Sequence, residues 1–208
     1  MVMPVPTSSR RPRRPRAAAV ETPSAAPAAQ GGAHATRAAL LAAGVAVAER
    51  EGLAGLSVNR VVAEAGVAKG TFYVHFADRR AFIDSLHQGF HERVAQAAVA
   101  ATRGIEPGAE LLWRGAQAYL DVCLSDSAIK ALALEARTEG ALTDSMHARH
   151  ESFAESAVPS FRALGWPDAR SAAQLLAAMT SEVAIRELEA GRRVPGARRA
   201  LKRFLGAG

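Results

Sequence analysis

The 208-residue sequence has one cysteine, Cys123, so no disulfide can close within the chain and a disulfide-stapled scaffold is excluded. A reducing compartment, the cytoplasm, is the natural setting. Aromatic residues make up 5% of the sequence and no strand-like alternation persists, which argues against a β-rich fold. Long apolar runs are missing too. The longest, Ala38 to Ala48, has 11 residues, well short of the ~20 that a spanning helix needs. Near the basic N-terminus the apolar segment Ala17–Val20 is too short for a signal-peptide core. No nucleophile–base pair, glycine-rich phosphate loop or metal cluster is apparent, so nothing points to an enzyme, a cofactor or a bound metal.

What is present is a globular composition, 49% hydrophobic and 22% charged, with a formal net charge of +6. A basic excess favours an anionic partner. Its placement weakens that argument. Arg10, Arg11, Arg13, Arg14 and Arg16 against Glu21 put most of the excess in the first thirty residues. Residues 1–33 are rich in Pro, Ala, Arg and Ser and lack periodic large apolar residues. They are expected to be a disordered tail, either simply solvated or acting as a basic arm that adds phosphate contacts.

From Thr36 the periodicity is helical throughout, which predicts an all-α protein. A first helix is expected over about Thr36–Glu51, with Gly52 as its stop. Further helices are expected from Asp78 to near Gly104, from after Pro107 to Ser125, over Ser127–Thr138, over Thr143–Leu164, over Asp168–Ala190 and over Pro195–Leu205.

The informative stretch runs from Ser57 to Phe76. Ser57 is a good helix N-cap, and Val58, Val61, Val62 and Ala65 recur at helical spacing. Gly66 permits a left-handed turn, Val67 plugs the angle, and Lys69–Val74 allows only one or two helical turns. A short second helix with polar side chains near its start is what a helix-turn-helix uses to enter the DNA major groove. Lys69 supplies a point charge for a phosphate, and Gly70 lets the backbone come close. Thr71 can meet phosphate or a base edge, while Tyr73 and His75 can hydrogen-bond to phosphate oxygens. Arg79 and Arg80 follow in the first turn of the next helix. Cations there oppose the helix dipole, so another interaction should favour them, and a phosphate would serve.

Residues 36–90 resemble the N-terminal domain of TetR-family regulators. The matching features are Leu40-Leu41, Gly52, Ala63-Glu64-Ala65-Gly66-Val67, Lys69-Gly70-Thr71-Phe72-Tyr73, His75-Phe76 and Arg79-Arg80-Ala81-Phe82. The resemblance implies an all-α homodimer. A three-helix helix-turn-helix domain (34–82) would bind operator DNA, and a larger helical domain (83–208) would bind a small molecule and dimerise. By motif position, Lys69, Gly70, Thr71, Tyr73, His75 and Arg79 would touch DNA, with Ser57 and Arg80 added from the local reading. Two positions depart from the family pattern. Ala48 stands where a large aromatic is usual, and Ala68 where a serine often caps the recognition helix.

Beyond residue 90 the resemblance is one of layout. Asp168–Ala190 is apolar nearly all round, and Pro195–Leu205 sets Ala197, Ala200, Leu201, Phe204 and Leu205 against Arg198, Arg199, Lys202 and Arg203. These two helices are assigned to a dimer interface, two monomer-core helices being the alternative, with the basic face read as solvated. Trp113, Tyr119, Cys123, Met146, His150 and Phe153 are candidates for a ligand site, although an ordinary core uses the same residue types. His87 and His91 share a helix face at a spacing that can hold a metal, as do His147 and His150 near Glu151, but solvent-exposed or hydrogen-bonded histidines fit better. The expected function is a cytoplasmic, nucleoid-associated repressor released from a near-palindromic operator by a small molecule. An activator, or a weakly specific nucleoid protein, remains open.

Overall fold

A computed structural model describes residues 26–129, 131 and 143–207, with side chains described for 32–129, 131 and 151–207. Among these residues every regular element is helical. We number the helices α1 (Ala26–Gly55), α2 (Val58–Ala65), α3 (Lys69–His75), α4 (Arg79–Thr102), α5 (Ala109–Ser125), α6 (Thr143–Ala163), α7 (Ala169–Ala190) and α8 (Pro195–Phe204). Residues 127–129 are helical as well. Most of the expected helix over Ser127–Thr138, and the tail as far as residue 25, lie outside the described residues.

Helix α1 begins ten residues before Thr36, so residues 26–33, expected to belong to the tail, are helical. Gly52, at φ 63° and ψ −163°, interrupts α1 where the stop was expected, and only a short turn follows it. The other boundaries follow local punctuation. Ser57 caps α2, Asp78 caps α4 by accepting from the Ala81 amide at 2.8 Å, and Asp168 caps α7 by accepting from Ser171 at 2.9 Å. Gly66 at φ 66° and Gly191 at φ 60° end α2 and α7 in the left-handed conformation. Ala68 leaves α3 without a side-chain cap, as its methyl must.

Helices α1 to α3 pack around one end of α4 through an aromatic cluster. Phe72, Phe76 and Phe82 are buried with ring centroids 4.9–5.3 Å apart, in the tilted and edge-on arrangements that aromatic quadrupoles favour. The Arg37 guanidinium lies 5.2 Å from the Phe76 ring centroid. Gly44 of α1 is the point of closest approach to α4. A β-carbon there would stand 2.4 Å from Cζ of Phe82 and 3.3 Å from Cδ1 of Leu86. The rest of α4 packs on α5, and α6 and α7 form a closely packed pair. Helix α4 therefore belongs to both halves of the molecule, and the change of surroundings falls inside it rather than at a linker.

Helix α8 corrects one expectation. Arg198, read as part of a solvated basic face, is buried. Its Nε and Nη2 donate to the two carboxylate oxygens of Glu187 on α7 at 2.7 and 2.6 Å, and its Nη1 donates to Asp121 on α5 at 2.6 Å. The Val194 amide donates to Glu187 at 2.9 Å, and Arg193 pairs with Asp121 at 3.0 Å. Burial pushes the Glu187 carboxyl up, but the Arg198 and Val194 hydrogen bonds and the neighbouring cations outweigh it and hold Glu187 below its ordinary value. The hydrogen bond with Glu187 in turn raises Arg198. Three helices are thus tied at one buried point. Arg199 and Arg203 remain exposed.

Candidate functional site

Helix α3 is set by what it buries. Phe72 turns inward to the aromatic cluster and is inaccessible to solvent. With 3.6 residues per turn this sets Gly70 and Val74 on the opposite side and Tyr73 at its edge, and these three are exposed together with Lys69 at the start of the helix. Thr71 and His75 flank that face and are half-buried. Nothing lies within 4 Å of where a β-carbon on Gly70 would sit, so the backbone here is open to a close-approaching partner. Arg80 is exposed at the start of α4. The Ser57 hydroxyl accepts from the Arg60 amide at 3.4 Å, which gives it a capping task on α2. Arg60 itself pairs with Glu51, and Arg50 pairs with Glu64 at 2.6 Å.

Two points were not anticipated. Val74, with 78% of its surface exposed, stands on the outward face beside Tyr73. Its signal was available, since it lies four residues after the open Gly70 on a short helix. The second concerns Arg79. Its Nε donates to the Leu56 carbonyl and its Nη2 to the Leu53 carbonyl, each at 2.6 Å. That is the interaction that draws a cation to the first turn of α4. It fastens the start of α4 to the corner between α1 and α2 and needs no phosphate.

A second feature lies between α4, α5, α6 and α7. A half-open cavity of about 430 Å³ runs along one face of α4 from His91 to Thr102. Leu112, Ala116 and Leu176 form much of its floor, with Phe153 and Ser156 on the α6 side. Of the six residues singled out as ligand candidates, Phe153 lines this cavity. Trp113, Tyr119 and Cys123 are buried in the adjoining core and do not line it. Tyr119 packs its ring 5.4 Å from Phe153, and the Lys202 ammonium lies 6.0 Å from the Trp113 ring centroid. The side chains of Met146, His147 and His150 lie outside the described residues. His87 is fully buried in α4, while His91 borders the cavity. Among the described residues no group of three His, Cys, Asp or Glu side chains could hold a metal ion. No described helix is long and apolar enough to cross a membrane.

The sequence model described as bacterial regulatory proteins, tetR family, matches residues 40–86, which run from α1 through the exposed face of α3 into α4. No curated protein matches the chain. Among solved structures, a transcriptional regulator from Rhodococcus sp. Rha1 superposes with a TM-score of 0.72 at 23% identity, covering 82% of this chain and 94% of that one. A TetR-family transcriptional regulator from Pectobacterium atrosepticum gives 0.64 at 21% identity, with 85% and 93% covered. The multidrug binding protein EbrR, solved with imidazole, gives 0.66 at 22% identity, with 81% and 94% covered. At such identities these structures speak to the fold, which they share over most of the chain. The family match falls on the helices that carry the exposed motif, so over residues 40–86 the chain is similar to bacterial regulatory proteins of the tetR family.

Proposed function

We propose that this protein is a homodimeric repressor that places the outward face of α3 in the DNA major groove and leaves its operator when a small molecule occupies the cavity along α4. The observation that carries this is the exposed set Lys69, Gly70, Tyr73 and Val74 on a helix anchored by one buried phenylalanine. Lys69 and Tyr73 meet phosphates, with Thr71, His75 and Arg80 alongside. Val74 meets the methyl group of a thymine, the apolar feature of the major groove. Ser57 acts from the edge of α2. Arg79 holds α4 against the α1–α2 corner and is a positioning residue.

Support for a dimer comes from large apolar side chains left uncovered on the two terminal helices. Leu175 on α7 is 62% exposed and Phe204 on α8 is 75% exposed. Support for release comes from α4, which lines the cavity with one stretch and is fastened to the DNA-binding helices by Arg79 at its start. A ligand that favours a different α4 position necessarily changes the affinity for DNA, and DNA changes the affinity for ligand by the same factor. EbrR, described as a multidrug binding protein, has the same fold.

Selection of bound duplexes from a randomised library by the full chain tests this reading. The expected product is a near-palindrome whose half-sites lie about one helical turn apart. Lys69→Ala should reduce the salt dependence of binding by about one counterion per protomer without changing the melting temperature. A library that shows no symmetric preference sinks the proposal.

A further inference from the structure

The cavity carries information about the chemistry of its occupant. We propose that its ligand is uncharged, elongated and mainly apolar, lies along α4, and presents a hydrogen-bond donor such as a hydroxyl. This rests on the reading of the cavity as the effector site and narrows it to a ligand class.

Charge is the first constraint. Among the described residues that line the cavity there is no Lys, Arg, Asp or Glu, and His91 is the one titratable side chain. Val94, Leu112, Ala116, Ala157 and Leu176 are buried walls and floor. An ionised carboxylate or ammonium moved from water onto such a surface loses its hydration and gains no opposite charge.

Shape is the second. The α4 residues on the cavity, from His91 to Thr102, keep to one helix face. Eleven steps of 1.5 Å from His91 to Thr102 make that face about 16 Å long. A volume of about 430 Å³ lies within the range of small-molecule sites and is far larger than a packing defect or a water site. Small residues keep it open on three sides, with Ala98 on α4, Gly115 on α5 and Ala157 on α6.

The polar groups fix the third constraint. Thr102 Oγ1 donates to the Ala98 carbonyl and Ser156 Oγ donates to the Phe153 carbonyl, each at 2.7 Å. In this arrangement both present lone pairs to the cavity, while Ser152 and His91, also on its wall, can donate as well as accept. A ligand hydroxyl, which donates and accepts, complements the whole set.

Three ten-carbon probes that differ only in the head group test the class on the full chain. They are 1-decanol, decanoate and decyltrimethylammonium, titrated calorimetrically below the solubility limit of the alcohol and the micelle thresholds of the ions, with operator release followed in parallel by gel shift. Decanol should bind at least about tenfold tighter than either ion, the factor that ~1.4 kcal/mol of uncompensated desolvation produces. Ala98→Phe, which fills the middle of the cavity from its rim, should abolish decanol binding. His91→Lys, which adds a cation at one end, should turn the preference toward decanoate. A wild-type preference for either ion overturns the ligand class, as does failure of all three probes or decanol binding that survives Ala98→Phe. Selective decanol binding supports it even if DNA stays bound. That last result counts against the release mechanism alone, so the two ideas fail separately.

Discussion

The α3 end and the α8 end of this molecule are held together by different means. Around α3 the cohesion is aromatic and short in range, since Phe72, Phe76 and Phe82 lie within eleven positions of one another in the sequence. Around α8 it is ionic and long in range. Arg198 reaches Glu187 eleven positions away and Asp121 seventy-seven away. The first arrangement forms as soon as neighbouring helices pair. The second requires α5, α7 and α8 to be in place together, because a buried charge is tolerated only when its partners are already there. An α3 end closed by packed rings and a body whose helices meet at one polar knot follow from this division.

The comparison can be broken, or sharpened, by three substitutions. Phe72→Ala has the largest expected effect. Emptying a fully buried ring site costs about 3–5 kcal/mol and should abolish DNA binding, as read by urea unfolding and gel shift. If helicity is then lost in two steps, the halves are separate cooperative units and the contrast is sharpened. A single step shows that α4 couples them.

Arg198→Ala comes next, because it leaves Glu187 buried and unpaired, at a cost of about 3 kcal/mol or more. The double variant Glu187→Leu with Arg198→Met should regain most of that loss. Proton linkage supplies a second readout. Glu187 is held below its ordinary value of 4.5, so its contribution is whole above that pH and is lost as pH falls toward the depressed folded value. Glu187→Gln should flatten that acid limb of the stability curve. A limb left unchanged would show that the knot does not govern the stability of the α8 end.

Arg79→Ala is the smallest. Losing two charge-assisted hydrogen bonds to carbonyls should cost about 2 kcal/mol and weaken operator binding with no change in its salt dependence. A salt slope reduced by one counterion would make Arg79 a phosphate contact instead, and the two ends would then differ less in design.

The same contrast explains what could be read from the sequence. Ser57, Gly66, Asp78, Gly191 and Pro195 act on backbone groups a few residues away, so most described helix boundaries were legible from punctuation alone. The early start of α1 was not, since the Ala- and Gly-containing segment from Ala26 carries no apolar stripe that marks it as helical. The face of α3 was legible because one inward phenylalanine in a seven-residue helix decides which side points out. The role of Arg198 was hidden, because a run of basic residues looks solvated until its distant carboxylates are known. The cavity was hidden for the opposite reason. Trp113, Tyr119 and Cys123 draw attention by residue type and are core, whereas alanine, glycine, valine and leucine line the open space and look the same in any helix.

Gly44 gives the joint between the two ends a direction. The Phe82 ring already occupies the volume that a side chain on Gly44 would take, so α4 has no clearance toward α1. In mechanical terms the contact is an end stop, because close-packed atoms resist compression far more than they resist parting. Helix α4 can swing away from α1 or slide along it, but it cannot press closer. Of the displacements of α4 at this point, approach to α1 is the one that packing blocks.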